Sequence, residues 1–346
     1  MLNKKALTLL ELASIALIFI TVIIVNKSNY IKSYNLLDHD IYYEFNQAIE
    51  IKDGINPYQR ILRGDLYHNN KYATLLPSYY YFLLGIAAFS QFTFKGFVDN
   101  YRSVLLLFEF IGFGVIYLKF RENDQKALGL FAASFFLLNR WTIGNVALLK
   151  QDVIAITLLL LSLYFLDKKT RLAYLFFGLS LAIKHLGLLA LPIYIAPLLF
   201  KKRSLKDFLL DILVMLFPIM SFSIIYLIWN FKAFIYSMLF SITRKNDSTT
   251  GSITTGYENL LTDSNMAFSS SYSMFSLLIP RLPLLVFSVF NLVLYFAKKI
   301  NWSLYIMFAF IVFVALNPVY FDQYITWITP LIAFTALDWK KSNTNS

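Results

Sequence analysis

The sequence has no cysteine and little charge, and both features restrict what the protein can be. Without cysteine there is no disulfide bond and no thiolate metal site. Charged residues make up 15% of the 346 residues and apolar residues 58%, against about 25% and about 45–50% in soluble domains. The three histidines (His39, His68 and His185) are scattered, and no glycine-rich phosphate loop or zinc motif is present. This composition excludes a soluble enzyme, a nucleic-acid-binding protein and a disordered tail.

Long apolar runs recur along the whole chain. A membrane helix needs about 20 apolar residues, and residues 6–25 form such a run, interrupted only by Glu11. Further candidate segments lie at 75–93, 103–118, 127–138, 152–166, 172–184, 186–200, 208–231, 282–297, 302–318 and 323–337. Several are shorter than a full crossing, so we expect some to be tilted, broken or re-entrant. We predict an all-α polytopic membrane bundle of about 10 or 11 hydrophobic segments, forming one domain over residues 1–346.

The distribution of charge predicts the orientation of this bundle. The net charge of +11 sits in short basic clusters between apolar runs, at 168–171, 201–203, 298–299 and 340–341. Such clusters are typical of cytoplasmic loops. By contrast, residues 27–74 carry six basic and six acidic side chains, and residues 232–272 carry three of each. We therefore place the N-terminus in the cytoplasm and predict two extracytoplasmic loops, 27–74 and 232–281, while the parity of the crossings stays open. We favour a prokaryotic cell membrane, with the endoplasmic reticulum as the open alternative.

The first of these loops holds the most informative motifs. They are Asp38-x-Asp40, Gly54-x-x-Pro57-Tyr58, and Tyr72 followed by Pro77. Residues 41–51 also have the apolar spacing of an amphipathic helix. Such a helix lies on the bilayer surface, where we expect it to hold Asp40 near the lipid headgroups and near a lipid-borne substrate. The simpler alternative is a polar loop that uses Asp, Asn and Gly for solubility and turns.

In order and spacing, these motifs resemble the first outer loop of GT-C-superfamily glycosyltransferases, which use polyprenyl-phosphate sugars. They are most similar to the polyprenol-phosphate-mannose-dependent mannosyltransferases, which include the catalytic subunit of GPI mannosyltransferase I. The resemblance implies a GT-C-like architecture. It also implies transfer of a hexose, with mannose favoured, from a polyprenyl-phosphate sugar to a glycan or glycolipid acceptor.

Two segments in the middle of the chain extend the resemblance. Gln151-Asp152 resembles a Gly-Gln-(Asn/Asp) helix start of these families, with Lys150 in place of the glycine. Asp152 would equally complement the dipole of an ordinary helix. Lys184-His185 interrupts a long apolar stretch and resembles an Ala-x-Lys motif of these families. Ionisable groups at membrane depth mark functional sites, although a lysine at a helix end also extends toward the interface.

Two later segments complete the resemblance. Arg244 and Lys245 lie in a segment similar to the His-x-x-Arg-x-Asp region of the GPI enzyme, although the histidine is replaced and the spacing to Asp247 is one residue longer. Gln323 and Tyr324 open a segment similar to a closing Gln-Tyr-x-x-Trp-x-x-Pro helix. The alternative for this segment is an aromatic belt at the membrane interface.

The resemblance implies a division of roles in glycosyl transfer. Asp40 is assigned as the general base, with Asp38 as its alternate, and we expect two carboxylates this close to share a proton or to raise one pKa. Arg244 and Lys245 are the first candidates to bind the donor phosphate, because guanidinium pairs well with phosphate. The remaining candidates for substrate binding are Lys184, His185, Gln151, Tyr58, Tyr72, Gln323 and Tyr324. We predict no cofactor and leave a divalent metal unassigned.

Other functions stay open at this point. A transporter or flippase of lipid-linked sugars would explain the many helices and the charged pair at Lys184-His185, but no inverted repeat is visible. A scaffold of an envelope-assembly complex and an O-antigen polymerase-like enzyme are further alternatives. The predicted partners are a polyprenyl-phosphate sugar, a glycan acceptor and membrane lipids, without nucleic acid.

Overall fold

The computed structural model describes residues 4–64, 71–200, 203–243, 281–317 and 321–344. Within these ranges all regular structure is helical, and no β-strand is present. The first part of the chain contains α1 (Lys4–Asn29), α2 (Asp40–Lys52), α3 (Pro77–Ala88), α4 (Phe94–Arg121), α5 (Lys126–Leu138) and α6 (Arg140–Ala147).

The second part contains α7 (Asp152–Phe165), α8 (Thr170–Ile183), α9 (Leu191–Leu199), α10 (Leu205–Thr243), α11 (Leu282–Phe296), α12 (Trp302–Leu316) and α13 (Ile325–Thr344). Short 3-10 helices connect some of them, at Ser33–Leu36, Pro57–Arg63, His185–Ala190 and Asp322–Tyr324. Each apolar segment predicted from the sequence overlaps a helix.

Only some of these helices are long enough to cross a membrane. Among the described residues, three helices are long and apolar enough to cross a membrane: Thr8–Asn29, Phe94–Arg121 and Leu205–Phe240. A fourth span is possible if α5 and α6 cross together, with a 43° bend between them. Asn139 makes this bend, because its extended backbone ends α5 and its side chain accepts hydrogen bonds from the first backbone N–H groups of α6.

The remaining apolar helices are shorter than a full crossing. Helices of 14 or 15 residues, such as α7, α8, α11 and α12, are about 22 Å long at 1.5 Å per residue, whereas the hydrocarbon core is about 30 Å thick. In the part of the chain that the structure describes, the protein is therefore all-helical, with three helices, or four if α5 and α6 cross together, that have the length and composition of a membrane span.

Helix α7 lies at the centre of the fold. Nearly all of its side chains from Asp152 to Leu163 are buried, and it packs against α4 and α8. Helix α8 in turn packs against α10. At Gly178 these two helices come so close that a Cβ atom would lie 2.0 Å from the carbonyl oxygen of Met215.

The predicted amphipathic helix is present as α2, but its apolar side contacts protein. Ile41, Phe45 and Ala48 are buried, and the Phe45 ring lies 4.9 Å from the Phe97 ring of α4. Helix α2 also packs along α3. The expectation that this side rests on the bilayer surface is therefore wrong, because α3 and α4 cover it.

We expect Gly178→Ala to destabilise the fold, because the new methyl group would collide with the backbone of α10. Gly114→Ala is a matched control, since a Cβ atom there meets nothing within 4 Å, and alanine in a helix interior is otherwise favoured over glycine. The measurement is the thermal unfolding midpoint in detergent. A Gly178→Ala midpoint equal to or above that of Gly114→Ala would contradict the close α8–α10 contact.

Candidate active site

A cavity of about 470 Å³ lies where α2, the start of α7, the end of α8 and the 3-10 helix Asp322–Tyr324 meet. This volume falls within the usual range for small-molecule sites. It is lined by two acidic side chains, Asp40 and Glu44 of α2, and by three basic side chains, Lys71, Lys184 and Arg281. Apolar side chains line it as well: Leu186, Leu188, Leu189, Leu284, Phe313 and Phe321. The cavity therefore offers both charged and apolar surface to a ligand.

Two lysines hold the carboxylate of Asp40. Lys71 Nζ lies 2.6 Å from Oδ1, and Lys150 Nζ lies 2.6 Å from Oδ2. Asp40 is also the first residue of α2, where the helix dipole favours a negative charge. Both oxygens of this carboxylate are therefore engaged by cations.

The backbone positions both lysines by locally unfavourable conformations. Lys71 has φ of 55°, and Leu149, directly before Lys150, has φ of 56°. Side chains other than glycine rarely adopt this left-handed region. Gln47 on α2 donates a hydrogen bond to the carbonyl oxygen of Lys71 at 2.9 Å, and the backbone N–H of Lys150 donates to the carbonyl oxygen of Asn145 at 2.8 Å. Strained backbone of this kind is common at functional sites.

The pKa of Asp40 differs from the sequence-based expectation. Burial by itself would raise it, but the charges and hydrogen bonds of Lys150 and Lys71 hold the pKa of this carboxyl well below its usual range. The expectation that Asp38 and Asp40 would together raise one pKa is wrong for Asp40, because its neighbours are two ammonium groups. Asp38 is exposed and does not line the cavity.

Glu44 is the second carboxyl of the cavity and lies one helical turn after Asp40. Tyr79 of α3 donates a hydrogen bond to its Oε2 at 2.7 Å. Burial, followed by the negative charge of Asp40, raises the pKa of Glu44 to about 7. The two carboxyls of α2 therefore have opposite properties, since one stays charged and the other changes its charge near neutral pH.

A buried ion pair between Lys184 and Asp152 lies next to the cavity, which Lys184 lines. Lys184 Nζ lies 2.7 and 2.8 Å from the two carboxylate oxygens of Asp152, and Trp327 donates to the same carboxylate at 2.7 Å. Asp152 is fully buried. The Lys184 ammonium also lies 5.3 Å from the centre of the Tyr324 ring. Three segments singled out in the sequence therefore meet here.

The cavity brings together most of the predicted site residues. Asp40, Tyr72, Gln151, Lys184, His185, Gln323 and Tyr324 all line it. Tyr58 does not: it is fully buried between other aromatic rings, and its hydroxyl donates to the carbonyl oxygen of Leu75 at 2.8 Å. The geometry therefore gives Tyr58 a structural position in place of the predicted contact with substrate. Arg244 and Lys245 lie outside the described residues.

Sequence reasoning missed Glu44, Lys71 and Lys150 as members of the site. Two signals in the sequence could have identified them. Glu44 follows Asp40 by four residues on a predicted helix, which places both on one face, and Lys150 replaces the glycine that the resembled families have. Lys71 directly precedes the quoted Tyr72, but nothing in the sequence pairs it with Asp40.

The raised pKa of Glu44 predicts a pH dependence of stability. The folded protein keeps the Glu44 proton up to about pH 7, whereas an unfolded chain releases it near the usual value of 4.5. The free energy of unfolding therefore contains a contribution that declines as the pH rises between these values. We expect Glu44→Gln to remove this decline, so that its thermal midpoint falls less than that of the wild type from about pH 5 to about pH 8.

The matched control for this measurement is Asp53→Asn, which removes an exposed carboxyl just after α2. It should keep the wild-type pH dependence. If Glu44→Gln and the wild type had the same pH dependence, the raised pKa would be contradicted.

No protein-family model matches the chain, and no curated protein matches it either.

Proposed function

We propose that the protein is a GT-C-type membrane glycosyltransferase. It would move a hexose, with mannose favoured by the resemblance, from a polyprenyl-phosphate sugar to a lipid-linked or envelope glycan acceptor on the extracytoplasmic side. The observation that carries this proposal is the Asp40 carboxylate held between Lys71 and Lys150 in a cavity with apolar walls.

The lining of the cavity suits an amphiphilic phosphate. Lys71, Lys184 and Arg281 contribute positive charge, which would attract the donor phosphate and stabilise the charge it gains on leaving. The apolar side chains of the 3-10 helix at His185–Ala190 and of α11 and α12 would contact the prenyl chain. On α11, Leu282, Leu285 and Val286 are exposed, so apolar surface extends from the cavity to the outside of the protein.

The reaction needs a group that takes the proton of the acceptor hydroxyl. In our proposal this group is Asp40. While both lysines contact it, Asp40 is a weak base, because they stabilise its charged form. When the donor phosphate binds, it competes with Asp40 for Lys71 and Lys150. Asp40 then loses part of this stabilisation, and its pKa rises toward the usual value.

A transporter of lipid-linked sugars is the second candidate. Glu109 lies within the spanning helix α4, is fully buried and accepts a hydrogen bond from Asn26 of α1 at 3.0 Å. Carboxyl groups inside membrane segments are common in transport proteins. Incubation of the purified protein with labelled polyprenyl-phosphate sugars separates the two, because only a transferase releases polyprenyl phosphate.

We expect Asp40→Asn to abolish release of polyprenyl phosphate, because asparagine cannot accept the hydroxyl proton. Asp38→Asn removes a carboxylate two residues away that is exposed and outside the cavity, so it should keep activity close to the wild type. Both variants should elute as folded protein in detergent. Full activity in Asp40→Asn would exclude this residue as the base, and loss in Asp38→Asn alone would move the role to its neighbour.

We expect Lys150→Gln to raise the apparent KM for the donor by roughly 10-fold or more, because a hydrogen bond to a charged group is worth about 1.5–3 kcal/mol. The KM for the acceptor should change less. Lys52→Gln, which removes an exposed lysine of the same α2 region, is the control. An unchanged donor KM in Lys150→Gln would contradict a contact between Lys150 and the donor phosphate.

A further inference from the structure

The two carboxyl groups of α2 differ in how their oxygens are engaged. Both oxygens of Asp40 are bound by lysine ammonium groups. Oε2 of Glu44 accepts a hydrogen bond from the Tyr79 hydroxyl. Its Oε1 has no hydrogen-bond partner among the residues that the structure describes. Both side chains line the same cavity. Of these two carboxyl groups, Glu44 therefore has an oxygen that no described residue engages.

The two groups lie one helical turn apart on α2 and line the same cavity. Residues four apart on a helix have Cβ atoms about 5–6 Å from each other. Two carboxyl groups exchange a proton when they are in hydrogen-bond contact or are bridged by one water molecule. The Tyr79 hydroxyl fixes Glu44 from α3, and the hydroxyl of Tyr101 on α4 lies 3.4 Å from that of Tyr79. Glu44 is therefore held in place beside Asp40.

The groups that face Glu44 come from several helices. Asp40 precedes it on α2, Tyr79 and Tyr101 face it from α3 and α4, and Lys150 and Lys184 act on it from the ends of the neighbouring helices. Burial and Asp40 favour its neutral form, while Tyr79 and the two lysines favour the charged form. The balance leaves Glu44 able to take up and release a proton near neutral pH.

We propose that Glu44 is the final acceptor of the proton that glycosyl transfer releases, with Asp40 as the first. This relay rests on the proposed function. The O–H bond of the acceptor breaks, and its oxygen forms a bond to the anomeric carbon of the sugar. The bond from that carbon to the phosphate oxygen breaks, and its electron pair stays on the polyprenyl phosphate. The proton moves from the hydroxyl to Asp40, then to Oε1 of Glu44, and is released to water after the products leave.

The second transfer has a clear physical direction. A proton on Asp40 is unstable once the lysines return to this carboxylate, because they stabilise only its charged form. Glu44 holds a proton more strongly, since its neutral form is favoured by burial. The proton therefore moves away from the reacting atoms, and Asp40 is restored as a paired anion.

The test is the pH dependence of kcat with donor and acceptor saturating. In the wild type, kcat should rise to a plateau through about pH 7, because Glu44 must begin each turnover in its charged form. Glu44→Gln should lower kcat by about 100-fold, the scale of a lost acid–base group, and remove this inflection. Glu44→Asp should keep the inflection and part of the rate. Asp53→Asn, an exposed carboxyl just after α2, should match the wild type.

The possible results separate the relay from the proposed function. If the wild type releases no polyprenyl phosphate from any donor tested, the transferase proposal fails and the relay fails with it. If the wild type is active and Glu44→Gln keeps the inflection, whether or not its rate falls, the relay alone is overturned. Loss of the inflection in Glu44→Gln together with its retention in Glu44→Asp supports the relay.

Discussion

The buried ion pair between Asp152 and Lys184 connects the helices that build the cavity. Asp152 begins α7, Lys184 follows α8, and Trp327 of α13 donates to the same carboxylate. Removing two charges from water is costly, and an isolated buried charge is costlier still, so each partner requires the other. The pair therefore fixes how the ends of α7 and α8 and the start of α13 meet. Gln151 and His185, which adjoin Asp152 and Lys184 in the chain, and Tyr324, which lies three residues before Trp327, line the cavity as a result.

The ion pair at Asp40 has a different character. It is partly exposed, with 43% of the Asp40 side chain accessible. Lys71 itself has a left-handed backbone conformation, and so does Leu149, the residue directly before Lys150. The left-handed backbone costs about 1–3 kcal/mol per residue. The attraction between the carboxylate and the two ammonium groups, which also lowers the pKa of Asp40, offsets this cost.

The apolar pattern of the sequence was sufficient to predict most of the helices, including α2 but not α6, and to indicate a membrane protein. The motifs also pointed to segments that the structure brings into one cavity, although they are separated by more than 100 residues. What the sequence could not show is which charges pair. Asp40 and Lys150 are 110 residues apart, and no periodicity connects them. Which apolar segments cross the membrane could not be predicted either, because an apolar run has the same composition whether lipid or protein surrounds it, as the buried helix α7 illustrates.

Lys150 stands where the resembled families have glycine, and it changes the charge around Asp40. With glycine there, Lys71 would be the ammonium group in contact with Asp40 among the described residues, whereas Lys150 adds a second cation at 2.6 Å. In the proposed reaction the donor phosphate brings a negative charge to the same two lysines. The donor phosphate would then take the place of the Asp40 carboxylate beside the two lysines. The ammonium groups would be paired with an anion both with and without donor, which avoids the cost of an unpaired charge next to apolar side chains. In the proposed reaction this exchange would free Asp40 only while a phosphate is bound, so the base would become available together with the donor.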